Sequence, residues 1–249
     1  MQEFNPSITS SQNIRLAFQS AQKQFISLVR SFAIELLGLF VVQVFIDETV
    51  EYLTAQFRNG KEQSFLSILL IFLFLMMSEF FVGNALLLIA AKQIRNFKSQ
   101  GREALDMALS GQDLRSFEKI LIEELRAAGE VLTGFIMFIF PGFNRLIHYF
   151  FVPFVVLFDE DYLTGKIDAL KASKEVSLSH FWFISTLLTA TAIIDWLLGY
   201  IIKGSEDSIL KDPVHVGLAA GVALLLNLFF KLFYCFIYLN LKSQHPTEK

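Results

Sequence analysis

The chain has 249 residues, 54% of them hydrophobic and 18% charged, with a formal net charge of −3 and a mean hydropathy of +0.51. Soluble domains run at about 45–50% apolar and ~25% charged residues, so the balance excludes an ordinary soluble domain. The small net charge, with no block of like charge, excludes a nucleic-acid-binding arm. Twenty-eight phenylalanines suit lipid-facing helices, and the one cysteine, Cys235, excludes an intrachain disulfide and sits in an apolar segment where packing is its expected role.

Met1 to Gln24 is polar, with no apolar stretch before Phe25, so it does not read as a cleaved signal peptide. It is expected to be a cytoplasmic N-terminal segment, with the first membrane helix serving as the insertion signal. That helix is expected over Phe25–Ile46, which carries Arg30, Glu35 and Gln43 in an otherwise apolar run. Phe65–Ala91 is the strongest span: twenty-seven residues with one charge, Glu79, and no proline. A helix that long covers roughly 40 Å, more than the ~30 Å hydrocarbon core of a bilayer.

Ser116–Ala128 places Phe117, Ile120, Leu121, Leu125 and Ala128 on one face, which predicts an amphipathic helix on the membrane surface. Val131–Phe158 admits two readings: one crossing kinked at Pro141, or a hairpin with Pro141-Gly142 at its tip and a return through Phe158. Basic residues decide between them. The hairpin puts fifteen lysines and arginines inside and four outside, whereas one crossing gives twelve and seven. The positive-inside rule therefore predicts six membrane segments with both termini cytoplasmic. The hairpin legs are expected to be short, tilted or partly re-entrant, with backbone breaks at Pro141 and Pro153.

Asp159-Glu160-Asp161 follows; it reads as a solvated turn, the alternative being a site for a divalent cation. Thr164–Leu178 is a second amphipathic stretch, with Ile167, Leu170 and Lys174 in one row. Both amphipathic stretches read as elbows between spans, the alternative being a membrane-surface or partner-binding platform. Ser179–Ile202, containing Asp195, and Val214–Leu241, containing Lys231, complete the spans. Gly204 suits a C-terminal cap, and Asp212 with Pro213 an N-cap and first helical position. Trp182, Trp196, Tyr200 and Tyr238 fall at levels that suit the headgroup zones.

Ionisable groups inside a bilayer are costly, which makes Glu35, Glu79, Arg145, Asp195 and Lys231 candidates. By depth, Glu79 and Glu35 match Lys231, and Asp195 matches Arg145. Opposite charges so placed would offset each other's desolvation as packing pairs, or line an ion or proton path. Arg145 and His148, one turn apart, could meet an anionic headgroup together. Gly217 and Gly221 form a GxxxG pattern that allows close helix approach, within the chain or across a homodimer. The four histidines lack zinc-type spacing, no metal or cofactor site is expected, and P-loop, HExxH, GxSxG and CxxC patterns are absent.

The sequence Pro141-Gly142, Arg145, Tyr149, Val152-Pro153, then Ala169-Leu170-Lys171-x-Ser173 and His180-Phe181-Trp182, resembles the YciC-like bacterial integral membrane proteins. It is also similar to the membrane domain attached to some glycerophosphodiester phosphodiesterases. The resemblance implies a six-span layout over nearly the whole chain. It transfers no catalytic residue, because in those fusions the hydrolytic chemistry belongs to a separate soluble barrel. The expectation is one all-α polytopic domain in the bacterial inner membrane, with residues 242–249 as a cytoplasmic tail. Its role is expected to be non-enzymatic: structural, accessory or lipid-interacting, with membrane lipids, a second copy or a membrane complex as partners. The alternative is a small-solute or lipid transporter.

Overall fold

The computed structural model describes residues 10–58, 65–99, 111–203 and 213–244. These residues form helices α1 (Ser10–Ser31), α2 (Ala33–Arg58), α3 (Phe65–Ser99), α4 (Gly111–Met137), α5 (Ile139–Tyr149), α6 (Val152–Phe158), α7 (Glu160–Leu163), α8 (Ala169–Ser179), α9 (Phe181–Lys203) and α10 (Pro213–Gln244), with no strand among them. The long apolar runs are helical as their composition dictates: α3 contains all of Phe65–Ala91, and α10 opens with Pro213 at its first position, where a missing N–H is harmless. Gly204 and Asp212 lie outside the described residues.

By length and composition, two stretches can cross a membrane among the residues whose side chains are described, Ile139–Phe158 and Ala220–Gln244; much of α3 lies outside that set. Counting two bent helix pairs as broken spans raises this to four. The first pair corrects the Phe25–Ile46 expectation: α1 and α2 meet at 88°. The turn is made at Phe32, which is fully buried, and helical bonds persist on both sides (Phe32 N–H to Leu28 O at 3.0 Å, Leu36 N–H to Phe32 O at 2.9 Å). The second pair, α8 and α9, bends by 95° at His180.

Proline explains the breaks in the hairpin region. A proline ring removes its own N–H and clashes with the carbonyl four residues earlier. That carbonyl belongs to Met137 for Pro141 and to Tyr149 for Pro153, and these are the last residues of α4 and α5. The chain therefore turns at Phe138, whose backbone is extended (φ −164°, ψ 155°), rather than at Pro141-Gly142, which lie inside the start of α5. The α4–α5 pair closes as an antiparallel hairpin: Gly134 abuts Gly142, Phe135 stacks edge-on against Phe143 at 5.4 Å, and Glu130 meets Arg145.

Both amphipathic stretches differ in extent from the expectation. The first is part of the 27-residue α4, and its inward stripe is Asp113, Phe117, Ile120, Glu124, Ala127, Val131 and Gly134, an alternating four-and-three spacing typical of packed helices. Leu125 and Ala128 face outward instead. The second begins at Ala169, not Thr164, because Gly165 takes a positive φ of 73° and Asp168 caps the helix. The polar segment before Phe25 also contributes more than expected. From Ser10 it is helical, and Asn13, Ala17, Ala21, Gln24 and Leu28 form a buried row against α10.

The core sits where α1, the second half of α3, α6, α8 and the second half of α10 converge. Leu86 to Ile94 of α3 and Val152 to Leu157 of α6 are buried in unbroken runs, as only helices enclosed on all sides can be. Phe150, Phe151, Phe154, Tyr234 and Tyr238 fill the centre with ring contacts of 5.1–6.1 Å. Elsewhere large apolar side chains stand in the open: Ile34, Leu37, Val41 and Phe45 on α2, the hairpin tip, and Trp182, Ile193 and Trp196 on α9.

Candidate functional site

Lys231 lies far along the apolar helix α10, and α3 and α4 flank it. Its ammonium lies beside Gly83 of α3, where an added methyl would come within 3.8 Å of Nζ. Next to Gly83, Asn84 is buried and its amide donates to the carboxylate of Glu124 on α4. Glu124 and Lys231 are close enough for their charges to attract, and the Cys235 thiol lies one turn further along α10. The cluster is thus a cation, a carboxylate, an amide and a thiol at the α3–α4–α10 junction. Glu124 is a carboxylate beside Lys231 that depth along the spans did not single out; the side chains of Glu79 and Asp195 lie outside the described residues, and so do the pairings expected of them. The signal for Glu124 was its place in the seven-residue stripe of α4, a carboxylate where every neighbour in the row but Asp113 is uncharged.

A second polar layer lies toward the ends of α3, α6 and α10. Lys92 and Asp113 form an ion pair of 3.0 Å with both side chains 10% exposed. Arg95 donates to the Leu157 carbonyl at 2.6 Å. Asp159 meets Lys242 at 2.7 Å while also accepting from the Asp161 N–H as the cap of α7. Within the acidic triplet, Asp161 pairs with Lys166 at 3.4 Å and Glu160 is exposed. At the far end of α1 the amide of Gln244 donates to Asn13 at 3.3 Å.

The third group is solvent-facing. Arg126 bridges Glu123 at 2.6 Å and Asp168 at 3.0 Å, and the Tyr162 hydroxyl donates to Glu123 at 3.3 Å. Burial first, then the negative Glu123, pushes Tyr162 up to about 12, so it stays a donor. Burial alone would raise Asp168, but the Arg126 hydrogen bond and the N–H groups of Lys171 and Leu170 outweigh it and hold the carboxyl below its ordinary value. The cap is therefore present above the unfolded-state value of about 3.9 and is lost as pH falls through the lower folded value. Asp168→Ala is expected to cost about 1 kcal/mol at neutral pH, and its difference from the parent should hold down to about pH 4 and shrink progressively in thermal melts run at lower pH.

The remaining sequence candidates are placed as follows. Arg145 pairs with Glu130, its Nη1 reaching both the carboxylate at 2.8 Å and the Glu130 carbonyl at 2.7 Å. His148 is buried against the Phe181 ring at 5.9 Å and its carbonyl accepts from Ser173 at 2.8 Å, while the Arg145 guanidinium is turned to Glu130. Ser173, Ala169 and the half-buried Leu170 seat α8 across α5 and α6. Gly217 and Gly221 face Phe40 of α2, with ring carbons 3.9 and 3.4 Å from the added methyl positions, so that face is filled from within the chain. Glu35 stands half-buried in the first turn of α2, where the helix dipole favours a carboxylate.

Comparison with known proteins gives no matching family model, no matching curated protein and no matching solved structure.

Proposed function

We propose that this chain is a non-enzymatic integral protein of the bacterial inner membrane, with six membrane segments (α2, α3, the α4–α5 hairpin legs, α9 and α10) and both termini cytoplasmic. The observation that carries the reading is the separation of surfaces. Large apolar side chains are exposed on α2, α9 and the hairpin tip, while the ionic contacts lie at the ends of α3, α6 and α10 and at the foot of the hairpin, short of its tip. Single exposed apolar residues need no explanation, but a belt of them is a lipid-facing surface. The basic loops favour the same orientation, and the resemblance to YciC-like proteins favours the same class. Its role is structural, accessory or lipid-interacting, through surfaces rather than a reaction centre.

The second reading, a small-solute or lipid transporter, draws on the Lys231–Glu124–Asn84 cluster between three helices. Purification of the tagged full-length protein in mild detergent, with identification of what travels with it, tests the first. Retention in vesicles through carbonate wash, with a lipid or membrane protein bound and no turnover of lipid or peptide, is expected. Release by carbonate, or catalytic turnover by the pure protein, overturns it.

A further inference from the structure

We infer that the α4–α5 hairpin is a re-entrant wedge that enters the cytoplasmic leaflet and turns back within it, an inference that rests on the membrane reading above. Between Glu130 and Arg145 there is no ionisable side chain, and the tip reads Phe135-Ile-Met-Phe-Ile-Phe140. Ile136, Phe138 and Phe140 are 77, 76 and 82% exposed. No soluble turn presents six large apolar residues in succession to water.

The wedge has a built-in depth gauge. The Glu130–Arg145 pair ties the two legs together at one level and marks where charge stops. From Glu130 to Phe138 is eight residues, about 12 Å of helix, against roughly 15 Å for half of the hydrocarbon core. The tip therefore stops inside one leaflet. Below the pair, the Arg126–Asp168 bridge and α8, with Lys171, Lys174 and Glu175 exposed, lie at the foot of the hairpin, and Ser173 fastens α8 to the carbonyl of His148. From there α9 departs at 95° beside α5, as a span leaving a surface helix would.

The turn satisfies part of its own backbone. Irregular backbone at membrane depth must satisfy its own polar groups. Phe138 N–H bonds Gly134 O at 3.0 Å, Gly142 N–H bonds Phe138 O at 3.3 Å, and Pro141 has no N–H to satisfy. The Thr133 hydroxyl is likewise spent on Gly129 O at 2.7 Å. The occupant of this surface is acyl chain, not a protein partner. A partner would be met by polar groups around the apolar centre, and the exposed tip offers none.

The test uses the full chain with Cys235→Ala as background and Phe138→Cys or Ile194→Cys added, reconstituted in phosphatidylethanolamine–phosphatidylglycerol vesicles. Each cysteine is probed with an environment-sensitive fluorophore, with chain-brominated lipids as quenchers and with an impermeant maleimide from either side. At Phe138→Cys, bromine quenching and loss of maleimide labelling from both sides are expected. Labelling from the outer side means that the hairpin crosses, and labelling from the cytoplasmic side means that it stands in water; either overturns the wedge. Ile194→Cys on α9 separates the two failures. If it too escapes bromine quenching, the membrane reading has failed; if it alone is quenched, only the wedge has.

Discussion

Glu124→Leu is expected to destabilise the protein by about 3 kcal/mol, because it leaves Lys231 and Asn84 without their carboxylate at an enclosed junction. Lys231→Met should cost less, since the methionine can follow the same apolar path while Glu124 keeps the Asn84 hydrogen bond. The double variant is expected to recover most of the loss. Removing both charges of a buried pair is often neutral, whereas removing one strands the other. Unfolding in detergent, followed by thermal melting of the four proteins in a double-mutant cycle, gives the coupling directly. Strictly additive losses would mean that the two charges do not sense each other. Single variants that remain folded while uptake or export in cells disappears would move the transporter reading ahead.

The cycle also shows what the sequence could and could not reveal. A lysine far along α10 is visible in a hydropathy trace, because one charge in a long apolar run is conspicuous. Glu124 is not, because matching depths along separate spans presumes straight, parallel helices and passes over a carboxylate on an amphipathic helix. The 88° bend at Phe32 and the 95° bend at His180 break that presumption, and neither has a proline or glycine to announce it. Prolines did mark the breaks near 138 and 150, but shifted: the ring disrupts the bond four residues back, so each break precedes its proline. Asp168 was a readable N-cap, since it stands immediately before an Ala-Leu-Lys helix start and after a glycine turn. The helical row of α1 was readable too, from the spacing of Ala17, Ala21 and Leu28, yet its polar remainder hid it from a hydropathy criterion.

Gly142→Val is expected to open the hairpin. A Cβ at Gly142 would overlap the ring carbons of Phe135, among them Cγ, which sits too near the backbone for a swing of the ring alone to relieve the clash. On the facing leg, a Cβ at Gly134 would come within 3.0 Å of the Gly142 Cα, the Pro141 carbonyl and the Arg145 side chain, so the two helices touch nearly backbone to backbone. Overpacking such a contact costs about 1–3 kcal/mol. The loss should be accompanied by a specific change, because prising the legs apart also breaks the Glu130–Arg145 clasp that sets the level of the tip. A fluorophore at Phe138→Cys should then report altered quenching by brominated chains in the Gly142→Val protein. Gly129→Ala on the same helix provides the contrast. Nothing lies within 4 Å of its added methyl, and replacing a mid-helix glycine by alanine should stabilise α4 by up to about 1 kcal/mol without moving the tip. If both substitutions behave alike, the close approach at Gly142 is not what holds the hairpin shut.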